Sequence, residues 1–152
     1  MILCKKGGKT MLNGEYFHSC DQKYRLRLPA KLKKDFSDGC FVTKGCDGCL
    51  FIFSAKQFEA LSQKLDSLPI FDSKAQRPLR LLLSSAFEVE EDNQGRFLLP
   101  QALREFAGIT KEVVFIGVGN RAELWSKEKW TEYNQNAGNF DDCLKELGDY
   151  GI

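Results

Sequence analysis

The sequence predicts a mainly β fold with short helices, made of two copies of one small module packed together as an internal pseudo-dimer. The first observation behind this is a duplicated phrase. Residues 21–33 read DQKYRLRLPAKLK and residues 92–104 read DNQGRFLLPQALR; at an offset of 71, Asp21 matches Asp92, Arg25 matches Arg96, and Leu28-Pro29 matches Leu99-Pro100. The second is that the match outlasts the phrase. After a one-residue slip the offset becomes 72 and pairs Ile52, Phe53, Ser54 and Phe58 with Leu124, Trp125, Ser126 and Trp130. The third is that no low-complexity linker separates the copies, which favours a fused unit over two independent beads. Repeats of this kind bury their apolar faces against one another.

Each element follows from local chemistry. Residues 14–20 (GEYFHSC) and 24–28 (YRLRL) read as strands flanking the turn Asp21-Gln22-Lys23. In the second strand Leu26 and Leu28 alternate with Arg25 and Arg27, the period of two of a half-buried strand. Pro29 suits the first position of a helix, where its missing N–H leaves nothing unpaired. AKLKKDF then makes about two turns before Ser37-Asp38-Gly39 ends them. A hairpin spans residues 40–53, with its turn at Cys46-Asp47-Gly48. Ser54 stands three residues ahead of Gln57, capping-box spacing, and opens an amphipathic helix with Phe58, Leu61, Leu65 and Leu68 on one face.

Pro69 stops that helix, and Asp72 caps the next, which Pro78 either resets or kinks. The second copy brings a strand over 86–91, a turn at Asn93-Gln94-Gly95, a strand over 96–99, and a helix from Pro100 to Gly108. Residues 112–117 and 122–125 form a hairpin around Gly119-Asn120, Ser126 caps a helix carrying Trp130, and 140–147 add a short terminal helix. The expected division is a first repeat over 11–70, a connecting helix over 71–84, a second repeat over 85–133 and a tail helix within 134–152. Residues 1–10, ahead of Met11, read as a start-site extension or a flexible tail.

Composition excludes several classes. With 43% apolar and 28% charged residues the chain is ordinary for a soluble globular protein. No apolar run approaches the roughly 20 residues of a membrane-spanning helix. The opening MILCKKGGKT lacks the apolar stretch and cleavage site of an export signal, so a cytoplasmic protein is expected. A net charge of +1 argues against indiscriminate coating of nucleic acid, but the distribution is uneven. Residues 21–34 carry Lys23, Arg25, Arg27, Lys31, Lys33 and Lys34 against Asp21 alone, an excess of +5. The matching stretch 92–105 balances Arg96 and Arg104 against Asp92 and Glu105, and Glu88, Glu90 and Glu91 make its approach acidic.

The six cysteines, at 4, 20, 40, 46, 49 and 143, are expected to be reduced thiols. Cys46-Asp47-Gly48-Cys49 has the C-x-x-C form with Cys40 nearby, yet a closed zinc site needs four ligands and the one histidine, His18, lies far upstream. A thioredoxin-like motif would open a helix beside a βαβ unit. No metal, no cofactor and no enzyme activity is expected, since no phosphate loop, Ser/His/Asp set or pair of buried carboxylates stands out. Phe51, Phe53, Phe58, Trp125, Trp130 and Tyr133 read as core or subunit contacts. Stacking on single-stranded bases would want aromatics interleaved with cations.

The pattern D-x-x-x-R occurs at Asp21–Arg25 and again at Asp92–Arg96. An aspartate here can accept turn N–H bonds or pair with the arginine, and either role fixes a guanidinium at the edge of a hairpin. Asp21-x-x-x-Arg25…Leu28-Pro29 and Asp92-x-x-x-Arg96…Leu99-Pro100-x-x-Leu103-Arg104 resemble the AbrB/SpoVT swapped-hairpin signature. Two tandem copies, with GEYFHSCDQKYRLRLPAK near the start and GITKEVVFIG…ELWS near the end, resemble the MraZ family from about Met11 to Trp130. The resemblance implies a double-split β-barrel, each copy supplying half of an AbrB-like pseudo-dimer. It further implies a bacterial transcriptional regulator that forms homo-oligomers, often rings, and binds short direct repeats upstream of division and cell-wall genes. Tyr24 departs from the family, which usually carries glycine or another small residue there; Gly95 keeps the glycine in copy two.

The expected function is therefore sequence-specific recognition of double-stranded DNA by a nucleoid-associated regulator. Lys23, Lys31, Lys33 and Lys34 would neutralise phosphates, and Arg25, helped by Arg27, would reach base edges, its fork matching O6 and N7 of guanine. Arg96 would mainly hold its own turn. The rival is a non-DNA, antitoxin-like interaction module that holds a partner protein with its sheet edges and tail helix. A reductase working through Cys46 and Cys49 is a third reading.

Overall fold

The structure is a computed structural model and describes residues 11–152. The start-site extension or tail assigned to residues 1–10 lies outside the described residues. In the first repeat come β1 (Glu15–Ser19), β2 (Arg25–Arg27), α1 (Ala30–Lys33) running into a 3-10 turn at Lys34–Phe36, β3 (Cys40–Lys44), β4 (Leu50–Ser54) and α2 (Ala55–Asp66). A connecting helix, α3 (Ser73–Ser85), leads to β5 (Phe87–Glu88), β6 (Arg96–Leu98), α4 (Gln101–Ala107), β7 (Glu112–Gly117), β8 (Ala122–Ser126) and α5 (Lys127–Asn136). The tail holds α6 (Phe140–Lys145) and a 3-10 turn at Glu146–Tyr150.

Six strands form one antiparallel sheet in the order β1-β7-β8-β4-β3-β5, while β2 and β6 pair separately as a two-stranded ribbon. Strands are exchanged between repeats: β1 pairs with β7 of the second copy, and β5 with β3 of the first. At the centre of the sheet Phe51 faces Glu123, and at the centre of the ribbon Leu26 faces Phe97. Those residues are equivalents at offsets of 72 and 71, so the pseudo-two-fold axis of the duplication passes through both pairs.

The double-split β-barrel expected from the resemblance is not formed, because no barrel closes among the described residues. The sheet is open, with β1 and β5 at its edges. A ribbon of three-residue strands and a two-residue β5 supply too few ladder bonds to carry the sheet round to closure. The strand expected over 86–91 is correspondingly reduced to Phe87–Glu88 plus an isolated bridge from Glu91 to Phe97.

Alternation along the strands divides the interior in two. Val42, Leu50, Ile52, Val113, Phe115 and Leu124 face the main core, where the ribbon and its short helices supply Leu26, Leu28, Leu32, Phe97, Leu99 and Leu103. The opposite face carries Val114 and Trp125 with Phe51, Ile116 and Trp130. There Phe58 of α2 stacks on Phe41 with centroids 4.4 Å apart, and Trp130 and Tyr133 of α5 close on Trp125 at 5.1 and 5.0 Å.

The helix starts follow their caps. Ser54, Asp72 and Ser126 accept from the N–H of Gln57, Lys74 and Lys129 at 3.1, 2.9 and 3.1 Å. Because α3 opens at Ser73, Pro78 lies inside it and does not reset it. Pro29 and Pro100 sit one position earlier than expected, before the first helical residue, with extended ψ of 136° and 143°. What the helices need from them is the carbonyl, which accepts from the N–H groups three and four residues ahead. None of α2, α3, α5 and α6 carries a fully buried residue. No helix among the described residues is long and apolar enough to cross a membrane.

Candidate nucleic-acid interface

The two D-x-x-x-R turns are built alike. At Asp21, the N–H groups of Lys23 and Arg25 donate to Oδ1 at 2.8 and 3.0 Å, and Arg25 Nε donates to Oδ2 at 2.7 Å. At Asp92, the N–H groups of Gln94 and Arg96 donate to Oδ1 at 2.9 Å each, and Arg96 Nε donates to Oδ2 at 2.9 Å. A short side chain thus satisfies the turn backbone and orients a guanidinium at once. Both carboxyls are held below the usual carboxylate range, chiefly by the backbone N–H of Arg25 and of Arg96 respectively. A depressed carboxyl pKa stabilises the folded turn above the ordinary value near pH ~4, and that contribution is lost as pH falls through the depressed value. The amide resonances of Lys23 and Gln94 are therefore expected to titrate together in acid, with midpoints below the ordinary value. Midpoints at or above it would show that the carboxylates do not hold the turns.

The turns differ at one backbone position. Tyr24 and Gly95 both adopt positive φ, 59° and 73°. For tyrosine that conformation costs about 1–2 kcal/mol, and the guanidinium of Arg104 offsets part of this by lying 3.6 Å above the ring centroid. Tyr24 is thus a strained turn residue, not a half-buried strand residue. Tyr24→Gly is expected to change stability by less than about 1 kcal/mol, because relief of strain opposes the lost stacking and the greater freedom of glycine when unfolded. Gly95→Ala is expected to cost about 1–2 kcal/mol. Denaturant titrations of the two variants check both values.

The ribbon collects the arginines. Leu26 and Phe97, each 1% exposed, face the core, so their neighbours point outward. Across the ribbon Arg25 lies opposite Leu98 and Arg27 opposite Arg96. Arg27 donates to the carbonyl of Gln94 in the other repeat's turn, and Arg96 Nη1 lies 3.7 Å from Asp21. Lys23, Lys31 and Lys34 are exposed and form no ion pair among the described residues. Lys33 differs, being held by Glu91 at 2.7 Å. The acidic approach of copy two is therefore partly used against the basic helix of copy one.

Arg96, whose own stretch carries no net charge, joins the arginines on the outward face of the ribbon all the same. Its place beside Arg27 follows from strand pairing between repeats, which a charge sum does not register. Arg25 and Arg96 also hold their turns equally, so turn geometry does not divide their roles. Away from this face, Cys46 and Cys49 flank the β3–β4 turn, where Asp47 and Gly48 have φ of 58° and 79°, and neither opens a helix. Cys46 is exposed; Cys49 is buried, and burial pushes its thiol up to about 12. His18 lies edge-on to Phe115, and no group of three or more metal-ligating side chains occurs among the described residues.

Comparison with known proteins agrees with the duplication. A family model described as "MraZ protein, putative antitoxin-like" matches twice, over residues 11–81 and 82–146. The chain is 45% identical to the transcriptional regulator MraZ of Clostridium beijerinckii over 142 residues, 93% of this chain and 100% of that one. It is 47% identical to that of Symbiobacterium thermophilum over 136 residues, 89% and 99% of the two chains, and 42% identical to that of Syntrophomonas wolfei over 143 residues, 93% and 100%. With both repeats matched in tandem and relatives similar along almost their whole length, this chain belongs to the MraZ family.

Proposed function

We propose that this chain is a sequence-specific, double-stranded DNA-binding transcriptional regulator that engages short direct repeats upstream of division and cell-wall genes. The observation that carries the reading is the outward face of the ribbon, where Arg25, Arg27 and Arg96 stand together with Lys23, Lys31 and Lys34 around them. A two-stranded ribbon fits the major groove, the side of the duplex on which all four base pairs are distinguishable. The lysines neutralise phosphates and release counterions, which gives salt-dependent affinity without sequence information. Asp21 occupies only Nε of Arg25, so the terminal nitrogens of that fork make no hydrogen bond among the described residues and are pre-oriented for a guanine edge. Lys33 contributes as a phosphate contact once DNA competes with Glu91. Being exposed, that pair is worth little to the free protein.

The exchanged β1 and β5 and the crossed β2–β6 ribbon support reading each repeat as one AbrB-like swapped hairpin. The functional units are then residues 11–70 and 85–133, joined by 71–84 and followed by the tail over 134–152. The regulator works in the cytoplasm at the nucleoid, as a homo-oligomer of ring type. Assembly is supported by four helices that bury nothing fully and by exposed Ile70, Phe71, Leu81, Phe140, Tyr150 and Ile152. Light scattering is expected to give the mass of several subunits, and a monomer mass at micromolar concentration would count decisively against assembly. Selection from a random duplex pool tests the function: one short motif in tandem should be enriched, with binding that weakens as salt rises. No enrichment would sink the reading and favour an interaction module that holds another protein.

A further inference from the structure

We infer that Leu98 reads a base, selecting thymine through its 5-methyl group in the major groove; this rests on the DNA-binding reading above. The outward face of the ribbon is a two-by-two grid, Arg25 opposite Leu98 and Arg27 opposite Arg96. Three positions carry cations, and the fourth carries a leucine that is 60% exposed. The interior does not require it. Alternation sends Phe97 and Leu99 inward, each 1% exposed, and Leu98 belongs to neither buried cluster. A lone exposed leucine is ordinary on a protein surface, but this one is set among guanidinium groups on the face that meets DNA.

Chemistry narrows what such a residue can recognise. Phosphates and guanine edges reward a donor and give nothing to an isobutyl group. The thymine methyl is the apolar feature that the major groove presents, and apolar side chains contact it. The pseudo-two-fold adds a second constraint. At an offset of 71 Leu98 is the equivalent of Arg27, so the two halves of one ribbon ask for different bases at equivalent positions. Rotating the duplex by half a turn would set Arg27 over the methyl, which offers a guanidinium no acceptor, and Leu98 over the base edge that Arg27 had faced. The ribbon therefore prefers one polarity of the duplex, although its fold is nearly symmetric.

The test uses the full chain and the motif recovered from the random pool. Each thymine in turn is replaced by deoxyuridine, which deletes the methyl and leaves every hydrogen bond in place. At one thymine per repeat, binding should weaken about fourfold per engaged ribbon, the value of one buried methyl group. Leu98→Ala should bind the thymine motif more weakly and lose its sensitivity to deoxyuridine at that position. Its affinity for unrelated duplex should be unchanged, since no cation is altered, and its circular dichroism and melting should match wild type. Leu98→Arg, which makes the two halves alike, should shift the preferred base there from thymine to guanine. Silence at every deoxyuridine, a motif without thymine, or equal losses for Leu98→Ala on both duplexes would overturn the inference while leaving DNA binding intact. Failure to enrich any duplex would instead remove the function on which it rests.

Discussion

Arg25→Ala is expected to weaken binding to the selected motif by about 1–3 kcal/mol per engaged repeat and to relax specificity at one base position. Arg96→Ala is expected to lose a comparable amount. Both guanidinium groups stand on the outward face of the ribbon, and each is oriented by its own aspartate at 2.7 and 2.9 Å. When several subunits engage a repeated operator the losses compound, so the effect on occupancy exceeds that on any single site. Removing either arginine also strips its own aspartate of the Nε bond, although Asp21 keeps Arg96 at 3.7 Å when Arg25 is lost. Arg25→Lys separates the two causes, because it keeps the charge and loses the planar fork. It should retain affinity for unrelated duplex and lose preference for the motif. Lys34→Ala should weaken binding to all duplexes alike and reduce the salt slope by about one. Titrations against motif and scrambled duplex at several salt concentrations distinguish these outcomes. An Arg25→Lys variant that still discriminates as wild type would remove Arg25 from base reading.

Phe97→Ala is expected to cost about 3–5 kcal/mol of folding stability. The ring is 1% exposed, lies opposite Leu26 on the pseudo-two-fold axis, and helps join the ribbon to the sheet. Few residues rearrange easily to fill such a void, since neighbours on both sides belong to short strands pinned at either end by the aspartate turns. The ribbon is shared by the two repeats, so the loss should appear as one cooperative transition at lower denaturant, not as early melting of one half. A cost under about 1 kcal/mol would mean that the ribbon is not packed on the sheet, the contact on which the whole interface depends.

Much of this was legible in the chain. The caps at Ser54, Asp72 and Ser126, the hairpin turns at Asp47-Gly48 and Gly119-Asn120, and the alternation in β2 are local signals and occur where expected. The site was half legible. Asp21 and Arg25 declare themselves by their echo at Asp92 and Arg96, and the basic stretch by its charge. What local signals omit is which strand each strand meets. Arg27 lies beside Arg96, and Lys33 against Glu91, although each pair belongs to different repeats, so the ribbon face and the loss of one lysine to an ion pair follow only from pairing between repeats. Leu98 is invisible for a similar reason, because an alternating strand with one apolar residue outward looks like slightly ragged patterning. The barrel failed for want of length: a two-residue β5 satisfies the repeat signature without the bonds that closure needs.

The exchange of β1 and β5 has a consequence for the order in which the protein can be made. β1 finds its partner in β7, so His18 must wait for Val113 before its backbone can pair. Those residues are about 100 apart, and at about 5–20 residues per second the ribosome takes some 5–20 s to span them. During that interval β3 and β4 can zip together as a local hairpin, while β1 and β2 emerge with no partner of their own repeat to pair with. A nascent chain in this state exposes an unpaired strand and half an apolar core, and a second nascent chain on the same message offers matching strands in the same register. Fusing the copies raises the local concentration of the correct partner, so that completion of β6 and β7 ends this exposure within a single polypeptide.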